Sequence, residues 1–199
     1  MSVIKLPEIK EFTIDFIRLL KNRESRREYP KEHLSLDEVS YLLFSCYGKS
    51  NKYYVVPSAG ALFPLNIYLL SSEVKDLDPC LYLYDNNKHS LILKIDRDLK
   101  NDIYNAALAQ DCIKASKAII FITAVWHRIT SRYGQRGVRY TYMEAGHSGQ
   151  NIYLMAEALG LGTVAIGAFA DEEIDKILNL DKTRENCIYF FPVGRTKKN

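Results

Sequence analysis

Between Cys80 and Ile95 the chain reads CLYLYDNNKHSLILKI, two apolar runs hinged on Asn86-Asn87. Leu, Ile and Tyr on both sides favour strands and the paired asparagines favour a turn, so the stretch is a β-hairpin. A hairpin makes neighbours antiparallel, whereas parallel neighbours need a crossover of roughly a dozen residues or more. A simple repeated strand–helix–strand order is thereby excluded. What remains is α+β: helices packed on a mostly antiparallel sheet.

The rest of the chain fills in that class. Residues 11–21 space Phe12, Phe16, Leu19 and Leu20 as one helix face. SLDEVSYLLFSCYG opens with Ser35 and has Glu38 three residues on, a capping box, and Gly48 suits its stop. Residues 66–71, KAIIFITAVW, TVAIGAF and CIYFFPVG read as strands, the second rich in β-branched residues. RDLKNDIYNAALAQ, DCIKAS and DEEIDKILNL read as helices, and VRYTYMEAGHSGQNIYLMAEALGLG as the longest one. That last helix is apolar on most of its circumference, which places it inside a domain or at a subunit interface. No linker or repeat divides residues 1–199, so a single domain is expected.

Composition narrows the function. A net charge of +3 is too mild for bulk nucleic-acid binding but allows a local site for an anion. The four cysteines form no Cys-x-x-Cys pair, which fits free thiols in a reducing compartment. The N-terminus lacks a signal-peptide pattern and no window reaches the roughly 20 apolar residues of a membrane span. A cytoplasmic protein with no nucleic-acid or membrane partner is expected.

Three stretches carry candidate chemistry. RESRREY sets Arg23, Ser25, Arg26 and Arg27 close together, an arrangement suited to phosphate; a solvated basic turn is the competing reading. VGRTKKN adds Arg195 and Lys197 directly after a strand. PSAGALFPLNIYLL sets Ser58, Ala59, Gly60 and Ala61 ahead of a buried strand, too small to fill a core and too apolar for an ordinary turn. Something must approach that backbone closely. In GLGTVAIG, Gly160 and Gly162 serve to end the long helix, while Gly167 sits mid-strand and calls for a bulge or a ligand. EAGHSGQN aligns Glu144, His147 and Asn151 on one helix face. Without a second copy and further glutamates this is a buried polar seam rather than a metal site. No serine elbow or phosphate loop is present, so a hydrolase is poorly supported.

Taken in order, Arg-x-Ser-x-Arg-x-Tyr (Arg23 to Tyr29), PSAGALFPLNIY, EAGHSGQNIYLMAEALGLGTVAIGAF and the terminal VGRTK resemble the nitroreductase-like flavoprotein family, most of all its SagB-type branch of azoline dehydrogenases. The resemblance runs from about Arg23 to Lys197. It implies an α+β sandwich forming an intertwined homodimer with two FMN molecules at the subunit interface. It assigns Arg23, Ser25 and Arg27 to the phosphate and ribityl chain, with Arg195 and Lys197 completing the phosphate site. Pro57, Ser58, Ala59, Gly60 and Ala61 would lie along the isoalloxazine of the partner's flavin. Gly167 would offer its N–H to flavin N5, with Ala165 and Ile166 beside the ring.

The resemblance also implies an oxidoreductase passing hydride from NADH or NADPH to a nitroaromatic or quinone-like acceptor. Azoline oxidation in a modified peptide is one alternative, and a non-catalytic flavin-binding subunit of a modification complex is another. Two departures stand out. Ala61 replaces an asparagine common in nitroreductases, and Arg132-Tyr133 stands where the azoline branch has Lys-Tyr. Arginine stays protonated, which leaves Tyr133 as the catalytic acid–base candidate.

Overall fold

A computed structural model describes residues 2–50 and 53–196. Its seven-stranded sheet is built from β1 (Val3–Lys5), β4 (Leu65–Ser71), β5 (Leu81–Asp85), β6 (Ser90–Ile95), β7 (Ala118–Val125), β8 (Leu161–Thr163) and β9 (Glu185–Arg195). β2 (Lys49–Ser50) and β3 (Tyr53–Tyr54) form a separate two-stranded ribbon. The order across the sheet is β1-β6-β5-β4-β7-β9-β8, and every ladder is antiparallel. The hairpin read at Asn86-Asn87 is the β5–β6 pair.

Helices cover both faces. α2 (Leu36–Tyr47) and α6 (Arg136–Ala158) lie on one side. There Ile67 and Leu69 of β4 and Ile120 and Ile122 of β7 point into their core. α3 (Lys100–Ala106), α4 (Asp111–Ala115) and α7 (Asp171–Ile177) lie on the other, against Tyr68, Leu70, Ile119 and Phe121. Alternate residues thus serve opposite cores. A sheet buried on both faces explains why β4 and β7 read as continuous apolar runs without polar alternation.

The Ser35–Glu38 capping box forms in full: Ser35 Oγ accepts from the Glu38 N–H at 3.2 Å and Glu38 Oε2 from the Ser35 N–H at 2.8 Å. Other expectations are corrected. The helix placed at 11–21 is α1 (Phe16–Asn22), because Asp15 caps the Ile17 and Arg18 N–H groups and starts it there. The helix read over 97–110 shrinks to α3, since Leu108 and Ala109 adopt positive φ and turn the chain.

α6 is less apolar than its reading. Apart from Ile152, its buried face is made of small and polar residues, Gly137, Thr141, Ala145, Ser148, Gly149 and Ala156 among them, while Tyr142 and Met143 stand exposed. Gly160, at φ +67°, ends the helix run as expected, but Gly162 belongs to β8. TVAIGAF is not a strand: β8 stops at Thr163 and only Ile166 rejoins the sheet, by one bridge to Phe190. Gly167 is therefore an exposed loop residue, not a mid-strand one. β1, the β2–β3 ribbon and α5 (His127–Tyr133) are additional to the elements read from sequence.

Tyr29 is pressed flat on Gly194, where an added Cβ would lie 2.6 Å from Tyr29 Cβ, an atom with no freedom to swing away. Gly194→Ala should therefore lower unfolding stability by about 1–3 kcal/mol, the usual cost of overpacking, read from urea midpoints. An unchanged midpoint would show that the Arg23–Tyr29 segment gives way freely.

Candidate functional site

The first group of residues gathers around one hydroxyl. Tyr153 OH lies 2.9 Å from Ser25 Oγ and accepts from the Ala165 N–H at 2.8 Å. The Arg23 guanidinium sits over the same ring, 5.1 Å from its centroid. Tyr153 thus joins the RES segment to the Ala165–Gly167 loop. Ile166 is held by paired backbone bonds to Phe190, at 2.8 and 3.2 Å. Beyond it Gly167 is exposed, and its N–H has no hydrogen-bond partner among the described residues. A Cβ there would meet only Tyr189 Cε2 at 3.9 Å, so packing does not require a glycine.

The arginines divide by task. Arg26 is structural: its Nη1 bonds Glu157 Oε2 at 2.5 Å, its Nε bonds Glu24 at 2.9 Å, and its N–H donates to Thr163 O at 3.0 Å. Tyr29 OH, donating to Arg26 O at 2.7 Å, closes the segment on itself. No salt bridge joins Arg23 or Arg27 to a carboxylate among the described residues. Their charge stays available, as an anion site needs. Arg195 is different. Its guanidinium forks onto Glu38 at 2.6 and 3.1 Å, tying the end of β9 to the cap of α2. Thr196 does reach the group, packing with Arg26 around Gly162. Lys197 lies outside the described residues.

The second group is the Pro57–Phe63 loop. Gly60 (φ +62°), Ala61 (φ +54°) and Phe63 (φ +47°) all lie in the left-handed region, costly for the two that are not glycine. Ser58 secures the turn: its Oγ accepts from the Phe63 N–H at 2.9 Å and its carbonyl from the Ala61 N–H at 3.0 Å. Phe63 stacks on Tyr54 at 3.8 Å. The N–H groups of Ser58, Ala59 and Gly60 make no hydrogen bond among the described residues, and Pro57, Gly60 and Ala61 are exposed. Tyr133 closes the other side. Its hydroxyl lies 2.7 Å from where a Gly60 Cβ would be, so Gly60 is required by space as well as by φ. Arg132 sits over the Tyr133 ring at 5.5 Å.

The polar seam on α6 supports this loop. Glu144, 2% exposed, accepts from Tyr47 OH at 2.5 Å, and Asn151 Nδ2 donates to Ser45 O at 3.0 Å. Glu144 Oε2 is buried without a well-formed hydrogen bond, with Ser58 as a polar neighbour. His147 of the same stretch is exposed. No cluster of three or more His, Cys, Asp or Glu gathers among the described residues. All four cysteines are buried and unpaired, and among the described residues no helix is long and apolar enough to cross a membrane.

Sequence reasoning missed Tyr153 and Tyr47. The signal for Tyr153 was present, since it lies two residues past Asn151 on the motif-bearing helix, but its partners come from two distant segments. The two groups attach to α6 nine residues apart, about 14 Å along its axis at 1.5 Å per residue.

The nitroreductase family model matches residues 20–195. A Methanocaldococcus jannaschii protein that carries the nitroreductase name is 41% identical over 194 residues, 96% of each chain. The microcin B17-processing protein McbC of Escherichia coli is 25% identical over 161 residues, 76% of this chain and 59% of McbC. Among solved structures, a nitroreductase-named chain from Anabaena variabilis is 27% identical with TM-score 0.82, covering 92% of this chain but 38% of that one. A Ralstonia eutropha structure of the same name is 24% identical with TM-score 0.86, covering 99% and 90%. A Desulfovibrio desulfuricans structure of that name, solved with FMN, is 17% identical with TM-score 0.65, covering 94% and 92%.

Burial raises the Glu144 carboxyl above its ordinary pKa, and hydrogen bonding from Ser58 and Tyr47 offsets this only in part. A raised folded-state pKa means stability is fully present below the unfolded value and is lost as pH rises through the folded one. Glu144→Gln keeps the shape and abolishes the charge. Its unfolding free energy relative to wild type should therefore climb between pH 4 and pH 7. Urea melts giving the opposite slope would mean that the carboxylate form is the one this seam favours.

Proposed function

This chain belongs to the nitroreductase family, and we propose that it is an FMN-dependent oxidoreductase transferring hydride between NADH or NADPH and a small nitroaromatic or quinone-like acceptor. Bound FMN would supply the two-electron chemistry, at its N5. The observation that carries the reading is the Tyr153 joint, which ties Arg23 and Ser25 to the loop presenting the free Gly167 N–H. Those residues suit a long ligand with an anion at one end and a ring acceptor atom at the other.

The residues present fit the group. Arg23 and Arg27 would pair with the phosphate oxygens, and Ser25 would add a hydroxyl. Arg195 would join only by leaving Glu38 or by sharing its fork, and Lys197 is retained by resemblance alone. Ala165 and Ile166 would flank the ring, and the Gly167 N–H would hydrogen-bond its N5, drawing electron density from the atom that accepts hydride. The Pro57–Ala61 loop offers three N–H groups and almost no bulk, which suits a flat ring from a second copy of the chain. Tyr133, against Gly60, would hold or donate a proton at the acceptor.

A homodimer accounts for what one chain leaves open. Phe12, Ile14, Phe16, Ile17 and Leu20 are exposed together, as are Tyr142 and Met143. Such a patch marks an interaction surface. The likeness to McbC supports a second reading, oxidation of an azoline in a modified peptide, with Tyr133 taking the proton because Arg132 stays charged. A cytoplasmic setting suits four unpaired cysteines.

The purified chain should be yellow, dimeric by light scattering and reducible by NADH or NADPH. Arg27→Ala should weaken FMN by about 1.5–3 kcal/mol, the worth of a hydrogen bond to a charged group. Arg195→Ala should cost stability more than flavin, because it leaves the half-buried Glu38 carboxylate without its cation. Colourless protein that takes up no FMN on titration would overturn the reading.

Gly167→Val separates flavin contact from packing. With open space at that position, apo-protein should melt within about 0.5 kcal/mol of wild type, as at an unconstrained surface site. FMN reduction in stopped flow should slow and the bound flavin's potential should shift. Normal reduction by a destabilised protein would remove Gly167 from the site.

A further inference from the structure

One cavity of about 440 Å3 lies beyond the Pro57–Phe63 loop, bounded by Leu62 and Phe63 and by the β5–β6 turn. Its volume is in the range of small-molecule sites. Leu83 and Ile92 offer aliphatic surface over the buried Leu65 and Ile67, the stacked Tyr54 and Phe63 rings add an aromatic wall, and most of the rest of the lining is polar. Arg128 is a cation in this lining. It stands one helical turn before Arg132 on α5, so the cavity adjoins the Tyr133–Gly60 contact without being part of it.

Arg128 is aimed but unspent. Its Nη1 donates to Asn66 Oδ1 at 2.9 Å, with Leu65 O and Phe63 O farther off at 3.4 and 3.5 Å. Asn66 is fixed in turn, because its Nδ2 donates to Glu185 Oε1 at 2.9 Å, the oxygen that also accepts from Thr123 Oγ1 at 2.5 Å. Among the described residues the Nε and Nη2 of Arg128 make no hydrogen bond, and no carboxylate forms a salt bridge with it. Arg128 has no direct ion pair among the described residues, Glu185 being reached only through Asn66, and its planar fork matches a carboxylate. The cavity's own acid, Asp85, sits at the hairpin end, where its Oδ1 is occupied by the Asn87 and Lys88 N–H groups. Lys49, donating to Asn87 Oδ1 at 3.1 Å, adds a cation at that rim.

We infer that this cavity binds a small aromatic carboxylate, with the carboxylate forked on Arg128 and the ring laid on the aliphatic and aromatic lining. The inference stands apart from the flavin reading, since no residue of it is assigned to FMN.

The test is calorimetric titration of the full chain with naphthalene-2-carboxylate and, separately, its neutral carboxamide, with and without saturating FMN. Wild type should prefer the carboxylate by about tenfold or more, as a charge-assisted hydrogen bond allows, and FMN should not compete. Arg128→Gln should lose that preference while still binding the carboxamide. Arg128→Lys, which keeps charge but not the fork, should fall between them. Folding of each variant is checked by thermal melts. Equal wild-type affinity for the two probes overturns the inference whether or not the variants fold. So does a wild type that binds neither at millimolar concentration, or an undiminished preference in folded Arg128→Gln.

Discussion

A Cβ on Gly149 would sit 2.7 Å from Phe191 Cζ, so α6 can lie as close to β9 as it does only because that position has no side chain. Ser148 and Ala145 beside it are buried and small in the same way. This close approach lets a single helix brace both groups of site residues. Glu144 faces Tyr47 and the Ser58 turn, and Tyr153 faces Ser25 and Ala165. Interiors are packed too tightly for such a helix to shift without moving its neighbours. A displaced α6 would therefore disturb both groups together.

The basic segment shows how charge is apportioned by geometry rather than by composition. Four arginines were candidates for one anion, yet Arg26 and Arg195 are held by Glu157 and Glu38, both poorly exposed. These two pairs pin the chain, one to α6 and the other to the cap of α2. Both pairs are partly buried, and the Arg195–Glu38 pair is bidentate, so they are worth more than exposed ones. The remaining two, Arg23 and Arg27, then carry charge on a segment that cannot move far. An anion bound there would meet preset donors and pay little to order them.

What could be read from the sequence was local. The capping box, the Asn86-Asn87 hairpin and the β7 run are each specified by residues a few positions apart, and each formed. β1 was not legible, because three residues gain strand structure only from a ladder with β6 far along the chain. The TVAIGAF strand failed for a specific reason. After Thr163 the Ala165 N–H goes to Tyr153 OH instead of to a neighbouring strand, which lifts the chain out of the sheet until Ile166. At the site, the residue types were legible and their allocation was not. Whether an arginine is spent depends on glutamates more than a hundred residues away, as Glu157 is from Arg26.

The strained loop joins these threads. Ala61 and Phe63 hold positive φ at a cost of order 1–3 kcal/mol each. Here the strain is opposed by the Ser58 bonds, the Tyr54 stack and the Glu144 seam behind them. The result is a row of N–H groups with no hydrogen bond among the described residues, with Tyr133 fixed beside them. Nothing among the described residues receives those groups, and the Gly167 loop hangs from the same helix about 14 Å away. On the homodimer reading the two half-sites belong to different cofactors, each completed across the interface. Flavin binding and association would then be coupled, because each would hold in place the loop that the other needs.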